Sequence, residues 1–181
     1  MPNYITEEDI FLIINYIEEQ ILKNQGNIKE SRTILKFGGK DDSEQLMNRL
    51  DIDMLGDIKN LVIGYWKKAA NTIQELSKSE KTIYPSTVWL SKQLSGNFIE
   101  IHADNAAYGV DRYSYSGLIY FNKQHRGGQL YFPEKNLSIS PETGEFVFFN
   151  SSEPHGVSTV RQDRYAMVMW FTTDPEYKFE E

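Results

Sequence analysis

Apolar positions along this chain follow two rhythms. In "ITEEDIFLIINYIEEQIL", Ile10, Ile13, Ile14, Ile17 and Ile21 recur at helical intervals, and Thr6 stands as an N-cap before acidic first-turn residues. A second stripe runs through Leu55, Ile58, Leu61, Val62, Tyr65, Trp66, Ala69, Ile73 and Leu76 and predicts a helix from Leu55 to Leu76. Both stripes read as faces that cover a core. Residues 24–52 between the helices are polar and contain glycine, and "KFGGKDDSEQ" reads as a mobile connection.

After Tyr84 the rhythm shortens. Seven segments rich in Val, Ile, Phe, Tyr and Trp follow, divided by turn residues: "STVWLSKQL", "NFIEIHAD", "YSGLIYFN", "GGQLYFP", "GEFVFFN", "HGVSTV" and "RYAMVMWF". Seven or eight short strands with no βαβ alternation predict an antiparallel jelly roll. The expected class is α+β, mainly β: a double-stranded β-helix over residues 84–173, braced by helical support over 1–80, in one domain spanning 1–181.

In the last segment the alternation raises a chemical question. Arg164, Ala166, Val168 and Trp170 share one face of a strand, and Tyr165, Met167, Met169 and Phe171 share the other. Both faces are largely apolar, yet a guanidinium stays charged at any ordinary pH, so a buried Arg164 needs an anion from the chain or from a ligand.

Composition narrows the partners. The net charge is −7 and the sequence pI about 5.1, with no block of like charges, so neither nucleic acid nor an anionic membrane is an expected partner. There is no cysteine, which excludes a disulfide framework and a thiolate metal site and suits a reducing compartment. With no apolar run approaching the roughly 18 residues of a membrane span, a cytoplasmic location is expected.

Histidine is scarce: His102, His125 and His155. His102 and Asp104, two apart on an expected strand, project from one face. With His155, which opens a later strand, they form a set of two imidazoles and one carboxylate, the facial triad of non-haem Fe(II) oxygenases. The alternative leaves His102 as a hydrogen-bonded strand residue and His155 as a turn residue. His125, before two glycines in an expected hairpin loop, reads as solvated. Arg164 lies beyond His155. In a flat hairpin it would pair with Arg161, about 20 Å from His155 at roughly 3.3 Å per residue. If instead the chain crosses between two sheets at the turn, both side chains enter one cavity, and an anion held by a metal at one end and Arg164 at the other becomes feasible. A structural pair between Arg164 and an acid of the chain is the competing account.

At these residues the sequence resembles a known family. "HAD", "GGQLYFP", "GEFVFFNSSEPHGV" and "RYAMVMWF" are similar to the catalytic domain of the prolyl 4-hydroxylase-type 2-oxoglutarate and Fe(II)-dependent dioxygenases, over roughly residues 85–173. The resemblance implies His102, Asp104 and His155 as iron ligands and Arg164 as partner of the distal carboxylate of 2-oxoglutarate, with Tyr120 helping to hold it and Trp170 lining the pocket. It implies O2 as oxidant, names ascorbate as a candidate accessory, and gives hydroxylation with succinate and CO2 as coproducts. The favoured substrate is a proline in a peptide or protein. A free amino acid or small metabolite is the second reading, and a non-catalytic jelly-roll module binding a metal or ligand is the third. Where the family carries a tyrosine nine or ten residues before the first iron ligand, this chain has Lys92 and Gln93. Either could bond the cosubstrate, or Tyr113 or Tyr115 could replace the hydroxyl. The loop over residues 105–117, with Tyr108, Arg112, Tyr113 and Tyr115, reads as a lid over substrate or as a polar connection. Arg161 reads equally as a substrate contact and as a solvated turn residue.

Overall fold

Residues 1–23, 47–105 and 112–180 are described by the computed structural model. The segment "KFGGKDDSEQ" and Tyr108 lie outside these residues.

Helix α1 (Glu7–Lys23) starts where the sequence predicts. The Asp9 amide donates to Thr6 Oγ1 at 3.1 Å, and Thr6 Oγ1 donates to the Asp9 carboxylate at 2.7 Å. Ile10, Ile13 and Ile17 are buried along its stripe. Helix α2 (Lys59–Ser77) starts later than the expected Leu55. Two 3-10 turns, Ile52–Met54 and Gly56–Ile58, precede it, because Gly56 sits at φ +43°, outside the right-handed helical region.

Nine strands are described: β1 (Met47–Asp51), β2 (Tyr84–Gln93), β3 (Ile99–His102), β4 (Tyr115–Tyr120), β5 (Leu130–Phe132), β6 (Leu137–Ile139), β7 (Phe146–Asn150), β8 (His155–Val157) and β9 (Arg164–Thr172). Strands β1 and β6 are additional to the seven expected segments. β1 falls where the sequence suggested a connection, and its "MNRLD" gains strand geometry by pairing with β2. The strands form two sheets, ordered β1-β2-β9-β4-β7 and β3-β8-β5-β6, with every pair antiparallel. This is the expected jelly roll. Among the described residues, no helix is long and apolar enough to cross a membrane.

The five-stranded sheet has two unlike faces. Val88, Leu90, Ile119, Phe121, Phe146, Met167, Met169 and Phe171 pack with α1 and α2 in the larger core. On the other face Leu118, Tyr120 and Val168 meet Leu130, Phe132 and Val157 of the smaller sheet. Side-chain alternation along each strand produces both faces from one sequence pattern. Between β8 and β9 the chain crosses from the smaller sheet to the larger, so the crossing geometry, not the flat hairpin, holds. Asp163 anchors the crossing. Its carbonyl accepts from Asn122 Nδ2 at 2.8 Å, and its carboxylate accepts from the Ser95 amide at 3.0 Å and pairs with Lys92 at 3.3 Å. Arg164 therefore enters the inner face directly after a pinned turn.

Candidate metal and cosubstrate site

His102 ends β3 and His155 opens β8, and the two are paired residues of adjacent strands. The register between Ile99 and His102 is irregular, the signature of a bulge, and the His102 ring nitrogen Nδ1 lies 2.8 Å from the Glu100 carbonyl. Asp104 stands in the turn after β3, not on the strand itself as the two-residue spacing suggested. The three still converge. His102 Nε2 is 3.3 Å from Asp104 Oδ1, His155 Nε2 is 3.8 Å from Asp104 Oδ2, and the two imidazole centroids are 4.5 Å apart. One donor atom from each residue lies within 4.8 Å of the others, a spacing that fits a single metal ion.

The surroundings orient these donors. His155 Nδ1 lies 2.9 Å from the Glu153 carbonyl, so in both histidines one nitrogen is engaged with backbone while Nε2 faces the carboxylate. Ser116 donates to Asp104 Oδ2 at 2.5 Å, and its oxygen is 2.9 Å from Ser151 Oγ. The sequence reading did not single out Ser116. It shares the β4 alternation with Leu118 and Tyr120, a signal that was available. Phe149 packs edge-on against the His155 ring at 4.5 Å and limits water at that side.

Charge in this cluster is strongly biased. For Asp104 burial pushes the carboxyl upward, but the hydrogen bond from His102, the charge of His155 and the Ser116 hydroxyl outweigh it and hold the group below the usual range. Burial lowers His102, yet its bond to Asp104 raises it overall, while burial dominates for His155 and lowers it.

Across the inner face, Arg164 is 1% exposed. Its Nη1 donates to Gln93 Oε1 at 3.2 Å, and its guanidinium lies 5.0 Å from the Tyr120 ring centre. Arg164 Nε and Nη2, Gln93 Nε2 and the Tyr120 hydroxyl are buried without a hydrogen-bond partner. The competing account, a structural ion pair for Arg164, therefore fails among the described residues. Burial pushes the Tyr120 phenol up, against the pull of the neighbouring guanidinium. Three unpaired N–H donors and a phenol in one buried group could receive an anion, because an unsatisfied charged donor in the interior is strongly unfavourable. The donor set fits a carboxylate of 2-oxoglutarate.

Of the two residues at the missing-tyrosine position, only Gln93 lies on this inner face, paired with Arg164. Lys92 lies on the opposite face, where its ammonium pairs with Glu18 of α1 at 2.7 Å. Of the two tyrosines, Tyr113 is buried beside Trp170 at 5.7 Å, and its hydroxyl contacts Thr87 Oγ1 at 3.0 Å and Arg112 Nη2 at 2.5 Å. Tyr115 packs against the helix-side core and is not brought to the triad. Trp170 lies on the inner face, paired across the ladder with Ser116. Arg161 and His125 are exposed.

A jelly roll that carries an imidazole-carboxylate-imidazole set opposite a buried arginine defines a class. Residues 88–172 match the family model of the 2OG-Fe(II) oxygenase superfamily, and every donor just described falls within that stretch. That stretch, a little under half of the chain, is similar to 2OG-Fe(II) oxygenase domains. Human prolyl 3-hydroxylase 3 is 35% identical over an alignment 101 residues long that covers 45% of this chain and 14% of that protein. The chain thus covers only about one seventh of that curated relative's length. Among solved structures, the viral collagen prolyl hydroxylase of Paramecium bursaria Chlorella virus 1, in its 2OG complex, is similar with a TM-score of 0.68 and 13% identity, over 95% of this chain and 93% of that one. A Trichoplax adhaerens prolyl hydroxylase, solved with a peptide fragment of the hypoxia-inducible-factor oxygen degradation domain, has a TM-score of 0.67 and 16% identity, over 98% and 84%. At such identities the structures show a shared fold.

Proposed function

We propose that this protein is a 2-oxoglutarate- and Fe(II)-dependent dioxygenase that hydroxylates a prolyl residue of a peptide or protein. His102, Asp104 and His155 hold the iron, and Arg164, with Gln93 and Tyr120, holds the distal carboxylate of 2-oxoglutarate. The observation that carries this reading is the buried Arg164, which has two unpaired nitrogens on the inner face of the larger sheet, packed against the triad's sheet. Iron with 2-oxoglutarate and O2 supplies the oxidising power to hydroxylate an unactivated C–H bond, with succinate and CO2 as coproducts.

The chain supplies geometry and electrostatics. Three donors leave other coordination positions open, and the backbone carbonyls of Glu100 and Glu153 set the ring orientation of the histidines. Ser116 fixes the carboxylate of Asp104. Arg164 orients the diacid by a charge-assisted contact, and Phe149, Phe132 and Val168 keep water from that side of the cavity. A human prolyl 3-hydroxylase relative and a peptide-bound structural neighbour support proline in a peptide as the substrate.

Succinate release with Fe(II), 2-oxoglutarate and proline-rich peptides, run beside free amino acids, tests this. Peptide-stimulated release that disappears in His155→Ala is expected. Stimulation by free amino acids alone would replace the substrate, and no 2-oxoglutarate consumption under any condition would remove the oxygenase reading.

A further inference from the structure

Unpaired buried polar atoms gather on the inner face of the five-stranded sheet in two groups. The first is the anion receptor at Gln93, Arg164 and Tyr120. The second lies farther along the same strands, where the indole nitrogens of Trp89 and Trp170 are also buried and unpaired. Trp89 is about 13 Å along β2 from Gln93 at roughly 3.3 Å per residue. The two indoles meet edge to face with centroids 4.1 Å apart, and each residue is at most 6% exposed. Trp66 also has an unpaired indole, but it lies in the helix-side core away from the site.

The second group adjoins the triad. Trp170 pairs across the ladder with Ser116, whose hydroxyl binds Asp104. Trp89 is held from the far side by Arg49, whose guanidinium carbon sits 3.6 Å from the ring centre and which pairs with Asp51. The nearby carboxylates are engaged: Asp51 with Arg49, and Asp104 with the histidines and Ser116. What is left unpaired is two indole N–H donors beside aromatic faces, since the hydroxyls in this cluster are engaged, Tyr113 with Thr87 and Arg112.

A wall of this kind selects its guest. It suits a segment that offers carbonyl oxygens and an apolar ring without an N–H between them. A free amino acid, by contrast, brings an ammonium toward donors and beside the Arg49 cation. Resting on the proposed function above, we propose that Trp89 is a substrate-positioning and specificity-determining residue: its indole N–H, together with that of Trp170, receives backbone carbonyl oxygens flanking the residue to be hydroxylated. Arg49 stacked on Trp89 holds that donor in place.

The test is Trp89→Phe, which keeps an aromatic ring and removes the donor. Binding of an acetylated and amidated proline-rich peptide is measured by calorimetry with Mn(II) and N-oxalylglycine bound, so the result does not depend on turnover. The KM and kcat for the same peptide are measured alongside. Loss of one buried hydrogen bond should weaken peptide binding and raise KM about tenfold, with kcat changed far less. Trp89→Leu should weaken binding at least as much. Unchanged peptide affinity and KM in both variants would overturn the inference and leave the oxygenase reading standing. Wild-type protein that consumes 2-oxoglutarate yet binds no proline-rich peptide would overturn it as well. Absence of 2-oxoglutarate consumption would count against the proposed function alone, because the calorimetry decides the role of Trp89 by itself.

Discussion

Lys92 and Arg164 are one ladder step apart on neighbouring strands, and they point to opposite faces of one sheet. Toward the helices, Lys92 is held by Glu18 and Asp163, and Tyr165 donates to Glu18 at 2.6 Å. Burial pulls the lysine down, but its bonds to Glu18 and Tyr165 leave it raised well above the ordinary value, and burial with the Glu18 bond pushes Tyr165 up to about 12. That cation is satisfied by the chain. Toward the inner face, the more deeply buried Arg164 has, among the described residues, Gln93 as its hydrogen-bond partner, the Tyr120 ring beside it, and two nitrogens without a hydrogen bond. A completed charge cluster stabilises a fold, whereas the incomplete one in the same sheet is where the proposed cosubstrate would bind.

Arg164→Met tests this contrast most severely. Removing the cation should raise the 2-oxoglutarate requirement on the order of a hundredfold or more, since a buried charge partner is lost. The same change should leave the melting temperature of the ligand-free protein unchanged or raise it, because unpaired buried donors are removed and the methionine fills similar space. A lower melting temperature with an unaltered cosubstrate requirement would reverse the roles assigned to the two faces.

Ser116→Ala should act more mildly and on the metal. Without its hydroxyl, Asp104 loses an orienting bond, and Mn(II) affinity measured by calorimetry should fall roughly tenfold to a hundredfold. An unchanged affinity would show that the histidines alone set the carboxylate.

Lys92→Met should give the smallest effect and of the opposite kind. The lysine's partner Glu18 is partly exposed, with a side chain 37% accessible, so the loss is about 1 kcal/mol and lowers the melting temperature by roughly 2–4 °C. The cosubstrate requirement should not move. If it did, the helix-side cluster would be coupled to the cavity after all.

Much of this site is legible in the chain because side-chain parity along a strand is local. The two faces of β9, the helical stripe of α1 and the identities of His102, Asp104, His155 and Arg164 all follow from short-range spacing or motif. Long-range choices are not local. Whether Lys92 or Gln93 turns inward depends on the register of β2 against β9, and the burial of Tyr115 behind the sheet depends on which strand lies beside it. Strand β1 becomes a strand only by adding to the β2 edge, and its sequence alone reads as connection.

The sequence by itself singled out the candidate groups: two imidazoles, one carboxylate and a permanent cation, set into an alternating strand pattern. Tertiary structure alone decided that the imidazoles and carboxylate converge and that Arg164 lies on the inner face of the sheet packed against theirs. The β8-to-β9 crossing, pinned at Asp163, brings Arg164 inward without a carboxylate partner among the described residues, because two sheets must stack to exclude water, and no window of sequence shows which faces will meet.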